Sequence, residues 1–95
     1  MKHTQGTWRV GFANENSVVC DTPNGFIPTI AVCPIILGEE AEANARLIAA
    51  APELLEALQI ADNHYRNLYS VGALHEDDHK DWQIVKKAIN KATQG

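Results

Sequence analysis

Residues 7–13, Thr7-Trp8-Arg9-Val10-Gly11-Phe12-Ala13, put Trp8, Val10 and Phe12 on alternate positions, the period of two that a half-buried strand requires. The polar Asn14-Glu15-Asn16 reads as a break, and Ser17 to Asp21 returns as a second strand. A three-residue loop there places Val18 and Cys20 on the same face as Trp8, Val10 and Phe12. Thr22-Pro23-Asn24-Gly25 is a turn, because Pro presets the first bend and Asn-Gly tolerates the left-handed one. Phe26 to Cys33 follows as a third strand. Pro28 has no N–H to give a ladder, so that strand is expected to lie at an edge or to face solvent with its N–H side there. With Asp21 opposite Phe26, Cys20 faces Ile27 and Cys33 faces Asn14, so the sulfurs do not meet. Two buried, reduced thiols are the expectation. The N-terminal third, residues 7–33, is therefore predicted as a three-stranded antiparallel meander.

At Gly38 the composition turns to Ala, Glu and Leu, with Glu39, Glu40 and Glu42 where carboxylates complement the positive end of a helix. Pro52 either begins a new helix at its first position or kinks a continuous one, and a break at Ala51 is the favoured expectation. Beyond it Leu54, Leu58, Ala61, Tyr65 and Leu68 form an apolar seam at helical spacing. Ser70 to Asp77 reads as a connection. Asp78 is expected to cap a last helix whose stripe is Trp82, Val85, Ile89 and Ala92. Strands that precede helices predict an α+β fold, with a small three-stranded sheet followed by two or three helices packed on one face.

The chain has 95 residues with a formal charge of -4. That length is expected to form one domain over residues 1–95, with the helical part at 39–93. The acidic balance argues against nucleic acid as a partner, and it is too weak to imitate a DNA duplex. No apolar run approaches the roughly 20 residues of a membrane span, and the N-terminus has no apolar signal core. A cytoplasmic protein without membrane contact is expected.

Asn44-Ala45-Arg46-Leu47-Ile48-Ala49-Ala50-Ala51-Pro52-Glu53-Leu54-Leu55-Glu56-Ala57-Leu58 resembles a stretch found in many short proteins encoded by bacteriophages and prophages, most of undefined function. In that group an aromatic-containing β-rich segment often precedes the helices, and Gly6-Thr7-Trp8 with its following strands is similar. The resemblance implies phage or prophage origin and action inside an infected bacterial cell, in the host cytoplasm. It carries over no catalytic residues. The same stretch also serves packing, since small Ala side chains let helices approach closely while the Leu residues supply burial.

No catalytic set emerges. Phosphate loop, nucleophile elbow and Cys-His-Asp order are all missing from the sequence. His75-Glu76-Asp77-Asp78-His79 is the one local cluster that resembles metal chemistry, and a solvated acidic loop explains it better, so neither metal nor cofactor is expected. The leading expectation is a non-enzymatic protein that binds and modulates a host macromolecule, such as a defence or metabolic protein. The alternative is a small-ligand or nucleotide-sequestering oligomer, with Trp8, Arg9, Tyr65 and Arg66 supplying stacking and charge. Self-association into a dimer is expected, through the seam Leu54, Leu58, Tyr65 and Leu68 or the stripe Trp82, Val85 and Ile89.

Overall fold

The structure is a computed structural model that describes residues 3–11 and 14–94. The chain is α+β, with three strands, β1 (Thr7–Gly11), β2 (Asn14–Asp21) and β3 (Thr29–Val32), ahead of three helices, α1 (Glu39–Ala49), α2 (Ala51–Ser70) and α3 (Glu76–Gln94). It divides into two compact units, one ending at Pro52 and the other beginning at Glu53.

In the first unit the sheet is antiparallel in the order β1-β2-β3. Trp8 pairs with Cys20 and Val10 with Val18, so these four share a face, as the alternation predicts. Phe12 lies outside the described residues. The expected break at Asn14 to Asn16 belongs instead to β2, which pairs Asn14 with Gly11 across an irregularity after Val10. The β2–β3 register also differs from the one expected. The turn closes with the Thr22 N–H donated to the Phe26 carbonyl at 3.2 Å, and a bulge then steps from the Val19–Thr29 pair to Val18–Ala31. Each adds an offset of one residue. Cys20 consequently donates its N–H to Pro28, and Cys33 donates to Asn16 at 2.7 Å. Both thiols are buried and free. The third strand is shorter than expected, starting after Pro28, and it does occupy an edge of the sheet.

A short 3-10 turn, Ile35–Leu37, leads to Gly38, whose φ of 59 lets the chain swing into α1. That helix lies on the sheet through Ala41 and Ala45, which pack with Val18 and Cys33 and are flanked by Trp8, Val10, Ile30, Ala31 and Ile48. Methyl side chains at both helix positions allow a close approach of backbone to sheet. The helix ends at Ala50, whose N–H returns to the Arg46 carbonyl, one residue before the expected break. Pro52 then falls in the first turn of α2, where its missing N–H has no partner to lose.

In the second unit α2 closes with Gly72 at φ 72. The Ala73 N–H donates to Leu68 at 2.9 Å and the Gly72 N–H to Tyr69 at 3.1 Å, the paired bonds that satisfy the last carbonyls of a helix around a left-handed residue. α3 begins at Glu76, three residues earlier than a helix capped by Asp78 would. Asp78 is thus not the residue that precedes the helix; its carboxylate reaches back to accept the His75 N–H at 3.3 Å. A third-position acid can do this because the first-turn N–H groups lack intrahelical partners.

Candidate functional site

The second unit is organised around Trp82. Its indole N–H donates to Asp62 Oδ1 at 2.8 Å, and its ring stacks against Tyr65 at 6.5 Å between centroids. Tyr69 meets the same ring at 5.8 Å and makes a T-shaped contact with the His79 ring at 6.1 Å. The Lys86 ammonium lies 4.2 Å from the Trp82 centroid, where the ring's negative face attracts a cation. Asp62 also accepts from Arg66 at 2.8 Å, one helical turn away. The Trp82 hydrogen bond is the main reason the Asp62 carboxyl sits below the usual aspartate range; partial burial opposes it, and the Arg66 and Lys86 charges assist. One carboxylate therefore ties α2 to α3, held ionised chiefly by the Trp82 N–H with help from two cations.

Of the residues singled out as a ligand site, Trp8 and Arg9 lie in the first unit and Tyr65 and Arg66 in the second. Trp8 faces the core and donates its indole N–H to the Thr4 carbonyl at 3.0 Å. Arg9, on the opposite sheet face, forms a forked pair with Asp21 at 2.6 and 3.1 Å. That hydrogen bonding raises the Arg9 pKa and lowers that of Asp21. A phosphate at either arginine would have to compete with a carboxylate already in place.

The candidate interface residues Leu58, Tyr65, Leu68, Trp82, Val85 and Ile89 are half-buried, and Leu54 is exposed. Neither α2 nor α3 has a buried residue. Sequence reasoning did not single out Asp62, although it lies one position past Ala61 on the edge of the apolar seam, where a tryptophan on a facing helix can reach it. It also passed over Ile35-Ile36-Leu37, three consecutive large aliphatics that all stay exposed. Their signal was available as an apolar run between Pro34 and Gly38, too short for any periodicity to classify.

Among the described residues no three His, Cys, Asp or Glu side chains gather as a metal-binding group, and no helix is long and apolar enough to cross a membrane. No curated protein and no solved structure matches this chain. Residues 1–95 match the family described as Salmonella phage P22 protein Y8K6. With its whole length covered, the chain belongs to that phage protein family.

Proposed function

We propose that this phage protein is a non-enzymatic binding protein that acts in the cytoplasm of the infected host, where it contacts and modulates a host macromolecule. It does so as a homodimer. The observation that supports this reading is the state of the helical unit: α2 and α3 together have no buried residue, yet Leu54, Ile60 and Ile84 stand exposed along them. Isolated apolar residues on a surface are ordinary, but a pair of amphipathic helices without any buried position has apolar area left for a partner.

Affinity capture from bacterial lysate tests the reading, with the Leu54→Lys/Ile60→Lys variant as the matched control. A host protein retained by the natural sequence and lost from the variant is the expected result. Retention of nothing specific, together with turnover of a small substrate by the purified protein, refutes it.

A further inference from the structure

Two surfaces of this chain are complementary in chemistry. The first is the turn Ile35–Leu37, where Ile35 is 78% and Ile36 89% exposed, followed after Gly38 by the exposed acids Glu39 and Glu40 in the first turn of α1. The second is an open groove of about 400 Å³ on α3, lined among the described residues by Gln83, Ile84, Lys86, Lys87 and Asn90. Ile84, 68% exposed, is the large apolar side chain in this lining. Lys91 continues the basic edge one turn beyond Lys87.

Charge decides which occupant fits. A chain of net charge -4 has eight basic residues, and four of them, Lys80, Lys86, Lys87 and Lys91, lie on α3. Arg9 and Arg66 are engaged with Asp21 and Asp62, and Lys86 lies over the Trp82 ring. Lys87 and Lys91 are therefore the basic groups best placed to meet an apolar segment ending in two carboxylates.

We propose that Ile35 to Glu40 of one copy docks in the α3 groove of a second copy, with the aliphatic turn on Ile84 and Glu39 and Glu40 against Lys87 and Lys91. In a two-fold dimer the contact occurs twice, each copy giving its turn and receiving its partner's. Apolar burial supplies the affinity, and the charges set register and partner choice. This inference rests on the self-association reading above and names the contact that produces it.

Light scattering on the full chain at micromolar concentration tests it, with circular dichroism to verify folding of each variant. The natural sequence is expected to be a dimer. Ile36→Asp should weaken association at least about tenfold, which corresponds to roughly 1.4 kcal/mol. Glu39→Lys/Glu40→Lys and Lys87→Glu/Lys91→Glu should each be monomeric alone. Mixed in equal amounts they should form a heterodimer, since both contacts then join opposite charges. A wild-type monomer at high micromolar concentration overturns the contact and the self-association reading together. A dimer unaffected by these changes overturns the contact alone, as does failure of the mixed variants to pair. Carbodiimide cross-linking of mixed light and isotope-labelled wild-type chains provides a readout without substitutions. Links from Glu39 or Glu40 to Lys87 or Lys91 between differently labelled chains are expected, and their absence from cross-linked dimer refutes the proposal.

Discussion

Asp62 accepts the Trp82 indole N–H at 2.8 Å across twenty residues of sequence, and the same carboxylate holds Arg66 on its own helix. This bond joins α2 to α3 by a directed polar contact, whereas the surrounding aromatic contacts are adaptable. A hydrogen bond to an ionised group contributes more than one between neutral groups. The pair should therefore be coupled in a double-mutant cycle. Asp62→Ala is expected to cost about 1–3 kcal/mol and Trp82→Phe a similar amount. The double variant should lose less than the sum of the two, by roughly 1 kcal/mol. Urea unfolding followed by far-UV circular dichroism measures each corner, and strict additivity would show that the two groups act independently.

The same carboxylate makes stability depend on acid. Its pKa is lowered in the folded chain, chiefly by the Trp82 bond, so the folded state favours the ionised form. The resulting stabilisation is fully present above the ordinary aspartate pKa, about 3.9, and is lost as pH falls from there through the lower folded value. Denaturation midpoints between pH 3 and 7 should thus decline at the acid end. In Asp62→Asn that contribution is removed and the decline should be shallower. An identical acid profile for the variant would count against this role of Asp62.

Gly6 and Gly72 separate two reasons for a glycine. Both have positive φ, at 132 and 72. A methyl group at Gly6 would run into the Asp21 carbonyl oxygen and lie 2.9 Å from Cys20 Sγ, while at Gly72 it would meet nothing within 4 Å. Gly72→Ala should therefore cost only the left-handed backbone penalty, roughly 1–2 kcal/mol. Gly6→Ala adds a backbone clash beside the buried Cys20 and should cost more than about 2 kcal/mol. Thermal melts of the two variants rank them, and equal losses would contradict the steric account.

Ala45 is fully buried between α1 and the sheet, and Ala41 is 1% exposed. Enlarging either must push the helix away from Val18 and Cys33. Ala45→Leu is expected to destabilise by about 1–3 kcal/mol or more. The exposed Ala43 on the same helix should accept leucine with a change within about 0.5 kcal/mol. Chemical denaturation compares them, and similar effects at the two sites would refute close packing as the function of Ala45.

What the sequence determined by itself was whatever depends on near neighbours along the chain. The alternation Trp8, Val10 and Val18, Cys20 identified two strands and their shared face, because side-chain direction repeats every two residues. Pro52 and the change in composition at Gly38 placed the helix boundaries to within about two residues. The Asn44 to Leu58 stretch pointed to phage proteins, and the family match over residues 1–95 agrees. The tertiary structure alone decided the rest. The offset between β2 and β3 came from a turn that closes one residue later than expected and a bulge at Val18 and Val19, and local propensities for neighbouring registers differ too little to choose between them. Asp62 became a link between helices only once α3 brought Trp82 to it, since a carboxylate beside an apolar seam reads the same in sequence whether it meets solvent or an indole N–H. The exposure of Ile35, Ile36 and Leu37 was likewise hidden, because hydrophobicity states that a residue gains by burial and only the folded chain shows whether its own atoms provide it.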